Sequence, residues 1–599
     1  MRNTNLNKRQ KPYYMKTKKY IIALGFAGMF LSACHDLDLQ PLSEASSETW
    51  FTDRTQVEMS LNTLYLHQFW PMFKNDFTTF SNGERKLSTV MSLDEPTDDW
   101  MNRTSVVPFI NGTLSASNST FLKNTWSYSY KAVSRCNTIL ENIERSKENL
   151  SPELYERYVA DARFVRACQY SRLISYFGDV VYFTQDLDLE EGFAQGRVDK
   201  MEVLGHIYED FDYAIENLPV AYESNEVKRA TKGAALGMKA RIALFVKDYE
   251  TARDAAKACM DLEAYQLYPD FGELFLSKTK NSVETVLGIP RSTEHLTSLA
   301  GGAVTAYLSR NVTSPSATAS PSWDLLCAFL CTDGKPIDES PLYDRTDPFK
   351  NRDPRCSYTI VEFNSNYFGF NYTPHPDSAK CWSYKENKLV TNKDSKAGDT
   401  YASYNGLILR KGIDDDWSDN LEADNEKLIL RYADILLMYA EAKIELNNID
   451  QSVLDAMNKV RARAYKVDYT SNSYPKITET NQAKLRTILR TERRMEFAFE
   501  ALRYNDILRW RIGEKVLNTK NYGLPSSLAA SKTYAKNKHW FFPGIPQIDE
   551  DGCPDFTTMA NISQCRVLSQ RVFEEKHYLW PIPSDDIGIC PNLKQNPGY

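Results

Sequence analysis

Histidine, the residue most used in metal centres and proton relays, is scarce: seven stand singly in 599 residues. The eleven cysteines are as scattered, with no CxxC pair and no histidine at zinc-finger spacing, so no local metal or thiol-redox motif is encoded. Cys327 and Cys331 are four apart, which would place them on one helix face, and burial as small hydrophobes accounts for both. HExxH, GxSxG, GxGxxG and the phosphate-binding loop are all missing, which removes the best-defined hydrolase and nucleotide-binding signatures. No stretch supplies the roughly 20 consecutive apolar residues of a membrane-spanning helix. No series of alternating ten-residue strands marks a transmembrane barrel.

The one apolar run near the N-terminus, Tyr20 to Leu31, follows Lys16, Lys18 and Lys19 and precedes Ser32, Ala33 and Cys34. It has the length of a secretory signal core and is too short for a stable span. The order basic, apolar, small, cysteine resembles a bacterial lipobox, where cleavage frees the cysteine for acylation. Residues 1–33 are therefore read as a lipoprotein signal peptide and Cys34 as the lipidated first residue. Both Met1 and Met15 remain possible starts. The segment 1–33 carries seven Lys or Arg and no acid, so removing it takes the formal charge from −7 to −14. Such a chain is repelled on average by nucleic acid and anionic lipid, and attachment to a membrane rests on the acyl chains of Cys34.

Aromatic residues are plentiful: 35 Tyr, 28 Phe and 10 Trp make 12% of the chain. Most must pack a core, and the excess permits a carbohydrate-stacking surface. Helical periodicity marks 49–70, 126–146, 151–179 and 201–219, with Ser151 as N-cap and Pro152 in the first turn of the third. In "KGAALGMKARIALFVKDYETARDAAKACMDL" (232–262), Ala240, Tyr249, Ala252 and Ala256 fall on the small and aromatic positions of the tetratricopeptide pattern. A second such hairpin is 431–464, and two hairpins with helix pairs beside them predict a tetratricopeptide-like layer. Between about 281 and 424, and again over 516–599, Pro, Gly, Asp, Asn and Ser replace the periodicity, as in turns and short strands. The expected division is 34–280 helical, 281–424 a loop-rich ligand-binding insert, 425–515 a helical hairpin with a packed helix, and 516–599 a loop-rich end, together one unit.

"TERRMEFAFEALRYNDILRW" (491–510) alternates Glu500, Arg503, Asp506 and Arg509 three residues apart. On one helix these would pair with each other, so a structural ion-pair network is expected here in preference to a catalytic carboxylate. The acidic clusters "SLDEPTDDWMN" (92–102) and "IDDDWSDNLEADN" (413–425) carry Trp100 and Trp417. The second fits a calcium loop poorly, with Asp419 where glycine and Asn425 where glutamate belong, and both are read as solvated loop acids.

The ordered motifs "DARFVRACQYSRLISYFGDV" (161–180), "KGAALGMKARIALFVKDYETA" (232–252), "RYADILLMYAEA" (431–442), "ERRMEFAFEALRYNDILRW" (492–510) and "WPIPSDDIGICPNLKQNPGY" (580–599) resemble the SusD/RagB family of surface lipoproteins. The resemblance also takes in "DGKPIDESPLYD" and "DPFKNRDPR" (333–355) and extends over the chain after Cys34. It implies a mainly α fold in which tetratricopeptide-like repeats support a loop-rich ligand-binding face with short strands. It further implies capture of nutrient oligomers without cleavage, most simply oligo- or polysaccharide, and delivery to a SusC-like TonB-dependent outer-membrane transporter. The location implied is the outer membrane, lipid-anchored and facing outward, and no cofactor or metal is implied. The acidic "HDLDLQP" after Cys34 is similar to the segment that accompanies surface export in this family. Peptide binding within the family, a glycan-degrading enzyme and a pure helical scaffold remain as alternatives. Ligand-binding candidates are Trp100, Asn102 and Arg103 in the first loop region and Tyr307, Trp323, Trp382 and Tyr384 in the insert. Each also suits a packing role, Trp323 beside the apolar "LLCAFL" most of all.

Overall fold

The computed structural model describes residues 50–71, 93–102, 107–223, 226–295, 297–313, 319–402, 404–536, 541–542 and 544–599. The signal peptide and Cys34 lie outside the described residues, as does Arg103. Of Asn102 only the backbone is described.

Helices α1 (Arg54–Asn62), α2 (Thr120–Asn142), α3 (Pro152–Phe177) and α4 (Lys200–Asn217) open the described chain. The Ser151 hydroxyl accepts from the Leu154 amide to cap α3, and Gly178, at φ +74°, ends it in a conformation that residues with a Cβ rarely adopt. The periodicity over 49–70 overestimates α1, which gives way to two 3-10 turns at Thr63–Tyr65 and His67–Phe69.

The predicted hairpins form as α5 (Lys232–Phe245) with α6 (Tyr249–Asp261) and α7 (Tyr432–Glu445) with α8 (Gln451–Ala464). Ala240, Ala252 and Ala256 are fully buried, and small side chains there let the two helices of the first hairpin approach closely. Each helix from α2 to α6 packs on its neighbour, and α7 then packs on α6. The fold is mainly α, a tetratricopeptide-like array.

Between Ile289 and Lys427 the chain leaves this array and returns beside its own starting point. Strand Thr285–Ile289 pairs antiparallel with Lys427–Arg431, which closes the excursion at one place. A four-stranded sheet, Asn366–Tyr367, Phe370–Asn371, Lys380–Ser383 and Lys388–Thr391, lies within it. Elsewhere two-stranded ladders stitch distant segments, Trp100–Asn102 to Ala319–Pro321 and Lys520–Gly523 to Arg566–Gln570. Phe51–Tyr599 forms one compact unit.

Helices α9 (Gln482–Glu496) and α10 (Arg503–Trp510) carry the charge-rich segment. The single helix expected over 491–510 is broken by a turn in which Phe499 and Ala501 both have φ +60°. Glu500 therefore does not pair with Arg503. Its carboxylate accepts from Arg431 at 2.7 Å and from Lys411 at 2.5 Å. Around it five cations, Arg355, Lys411, Arg431, Arg461 and Arg463, meet five carboxylates, Glu284, Asp353, Glu492, Glu496 and Glu500.

Candidate functional site

A cavity of about 120 Å³ opens between the insert and the α9–α10 turn. Its apolar walls combine Leu299, Leu409, Ile413 and Leu428 with four rings brought by four separate segments. Phe275 follows α6, Tyr307 follows the short helix Gly302–Thr305, Trp417 opens the short helix Trp417–Asn420, and Phe499 sits in the strained turn. Tyr307 and Trp417 meet edge to face, centroids 6.5 Å apart at 74°. Lys411 places its ammonium 4.4 Å from the Phe275 ring centre.

Polar groups complete the wall. The Lys411 ammonium donates to the Glu496 and Ala498 carbonyls at 3.0 and 2.9 Å and to Glu500. Burial pushes it down to about 8, against the pull of the Glu500 carboxylate. Glu426 accepts from the Asn281 amide and the Thr285 hydroxyl, and burial raises its carboxyl above the ordinary range. Asn425 donates to the Phe275 carbonyl at 2.8 Å and to Asp414 at 2.7 Å. Asp414 also accepts from the Ser277 amide and hydroxyl, so it is a loop clamp rather than the solvated acid expected.

Two buried atoms of this wall have no hydrogen-bond partner among the described residues: the Trp417 indole nitrogen and the Asn425 carbonyl oxygen. An unmet buried donor or acceptor costs about 1–3 kcal/mol, which a ligand hydroxyl would recover. A donor, an acceptor and aromatic faces in one small cavity form a surface matched to a polyhydroxylated ring.

The sequence candidates divide by placement. Tyr307 lines this cavity. Trp100 is 3% exposed and stacks on Phe499 from outside the lining, centroids 5.4 Å apart. Trp323 is 0% exposed and donates its indole N–H to the Asn405 carbonyl at 2.9 Å amid Phe541, Phe542 and Phe556. Trp100 and Trp323 are both buried among other side chains and neither lines the cavity. Trp382 and Tyr384, 37% and 48% exposed, stand on the four-stranded sheet, with Trp382 directly across from Leu389. Neither lines the cavity.

Trp417, Asn425, Phe275 and Phe499 are not among the candidates that the sequence singles out. Trp417 stands in an acidic cluster, but nothing local distinguishes its ring from a core ring. The acids of the first cluster are also misread as solvated. Asp94, Glu95, Asp98 and Asp99 are buried, and Asp98 receives Arg494 and Arg503, both far along the chain, at 2.9 and 2.8 Å. Those guanidinium charges hold its carboxyl well below the usual range despite burial.

A helical-repeat scaffold carrying an irregular, aromatic-lined binding face defines a class of binding protein, and sequence comparison identifies the class. The SusD family model matches residues 301–599, and a second model, described as starch-binding associating with outer membrane, matches 43–244. The chain belongs to the SusD/RagB family. It is 24% identical over 536 residues to a SusD-like protein of Bacteroides ovatus, covering 85% of each chain. It is 23% identical over 421 residues to SusD-like protein P25 of Formosa agariphila, covering 67% of this chain and 72% of that one. The crystal structure of a SusD-like carbohydrate binding protein from Bacteroides fragilis superposes with a TM-score of 0.73 at 29% identity, covering 91% of this chain and all of that one.

Proposed function

We propose that this protein is a non-catalytic surface lipoprotein, anchored through Cys34, that captures oligo- or polysaccharide for a TonB-dependent outer-membrane transporter. The observation that carries the binding role is the aromatic cavity with its unmet Trp417 donor and Asn425 acceptor. The carbohydrate-binding relative from Bacteroides fragilis and the starch-binding family description support a glycan over a peptide. Trp382 and Tyr384 extend the reading as an exposed platform for a longer chain. Binding without cleavage is supported by the engaged acids of the cavity. Glu500 is held by Lys411 and Arg431, Asp94 accepts from the Ala501 amide, and Glu426 from Asn281 and Thr285. A glycosidase needs two carboxyl groups about 5–10 Å apart and free to act as acid and as base or nucleophile.

The test is a calorimetric titration of the purified chain against neutral oligosaccharide series, comparing wild type with Trp417→Phe. Trp417 is buried in the aromatic cluster, so phenylalanine, a smaller ring without the N–H, should lower the melting temperature modestly and weaken binding roughly tenfold. Equal affinity would place the site elsewhere, and newly released reducing ends during incubation would replace the binding reading with an enzymatic one.

A further inference from the structure

A second cleft, of about 590 Å³, shares no lining residue with the aromatic cavity. It opens between the loop after the short helix Trp323–Ala328, the loop joining α8 to α9, one face of α9, and the turn of the hairpin Gln547–Ile548/Pro554–Asp555. Its walls are fixed to one another. Arg461 donates to the Pro475 carbonyl at 3.0 Å, the Ile548 amide to Asp338 at 2.9 Å, and Arg494 to the Gly552 carbonyl at 2.9 Å. Gly334, at φ +80°, lies so close to Pro475 that an added Cβ would meet its ring at 2.8 Å. The volume falls within the several-hundred-Å³ range of small-molecule sites, and the cross-links make the cleft preformed.

The lining has a distinct chemistry. Among the described residues no Trp, Tyr, Phe or His contributes to it. Leu330, Pro336, Pro475, Ile477 and Ile548 supply small apolar patches, and both signs of charge stand between them. Three groups have hydrogen-bonding capacity to spare. The Arg490 Nε is buried without a partner among the described residues; its guanidinium makes one hydrogen bond among them, to Asp551 at 3.2 Å, and lies 4.9 Å from the centre of the Trp510 ring. The exposed Glu339 carboxylate and the exposed Thr478 hydroxyl pair with none of the described residues.

An acyl chain would strand these charges, and a simple ion would meet charges of its own sign. A neutral polyhydroxylated chain satisfies donors and acceptors alike and lays its C–H faces on the aliphatic patches. We infer that this cleft is a second saccharide site, taking an uncharged oligosaccharide through hydroxyl bonds to Arg490, Glu339 and Thr478 in place of ring stacking. The inference rests on the glycan-binding reading above and adds a separate site to it. Two sites on one chain raise the retention of a long polymer without any new contact.

The experiment is a calorimetric titration of the purified chain with neutral gluco-, xylo- and manno-hexasaccharides, on wild type, Trp417→Phe, Glu339→Ala and Thr487→Trp. Glu339 has no protein partner to lose among the described residues, and tryptophan at 487 fills the cleft from the α9 wall. Two sites per wild-type chain are expected. Trp417→Phe should weaken one of them, Glu339→Ala the other by roughly tenfold, and Thr487→Trp should abolish that other at unchanged melting temperature. A single site that Trp417→Phe weakens and both cleft variants leave intact overturns the second site and keeps the glycan-binding function. No binding of any saccharide overturns both.

Discussion

The Trp100 indole stacks on Phe499 inside a cluster that also holds Tyr307, Tyr367, Tyr372 and Trp417. Cutting it to alanine removes a large buried ring and leaves a cavity that the strained turn behind it cannot fill. Trp100→Ala is expected to lower unfolding free energy by about 3–5 kcal/mol, read from the urea midpoint at constant slope. Trp382→Ala, on the open sheet face, should stay within about 0.5 kcal/mol of wild type. A Trp100→Ala chain as stable as wild type would return that ring to the list of ligand contacts. The two tryptophans look alike in sequence, since each has a polar neighbour on one side, Asp99 or Ser383, and an apolar one on the other, Met101 or Cys381. Only the pairing of Trp100–Asn102 with Ala319–Pro321 and the approach of Phe499 bury one of them.

Between α9 and α10 the chain accepts left-handed backbone at Phe499 and Ala501, which costs about 1–2 kcal/mol per residue with a Cβ. The distortion brings the Glu500 carboxylate to Arg431 and Lys411 and the Ala501 amide to Asp94 at 3.0 Å. At the end of α9, Glu496 accepts from Arg355 at 3.0 Å, from Arg431 at 2.7 Å and from Arg463. Against the cost of burial, the three guanidinium charges hold its carboxyl far below the ordinary range. A carboxyl lowered in the folded state contributes stability that is complete above its unfolded value of about 4.3 and is lost as pH falls below it. Glu496→Gln should therefore cost about 3–5 kcal/mol at neutral pH, because three buried cations lose one counter-charge. Its urea midpoint should also fall less steeply than that of wild type between pH 5 and 3. Parallel pH profiles for the two proteins would show that Glu496 is not the group responsible. The residues of this network are visible as alternating charge along 491–510, but their partners are not. Charge spacing reports neighbours on one helix, whereas these pairs join α9 and α10 to Arg355 in the insert, Glu441 in α7, Arg461 in α8 and Asp98 far upstream.

The whole molecule offers a rigid helical array and an irregular face, and among the described residues no helix is long and apolar enough to cross a membrane. The proposed capture role includes delivery to a transporter, so a tagged copy extracted in mild detergent should bring down a large outer-membrane barrel in near-equal amount. In the same cells Cys34→Ala should leave the envelope as soluble, folded protein. A chain that emerges alone, under conditions that keep other outer-membrane complexes whole, would leave a free-standing surface binder.

What the sequence determined by itself was whatever depends on neighbours along the chain. Helical periodicity, the Ser151 cap and Gly178 stop of α3, and the alanines of the α5–α6 crossing are set within one or two turns, and so could be read directly. Tertiary structure alone decided which rings line a cavity and which acids are buried. Phe275, Tyr307, Trp417 and Phe499 converge from segments remote from one another in sequence, and Asp98 and Asp99 become interior residues only when Arg494 and Arg503 reach them. Burial and desolvation are properties of the packed chain, and no local pattern of residues carries them.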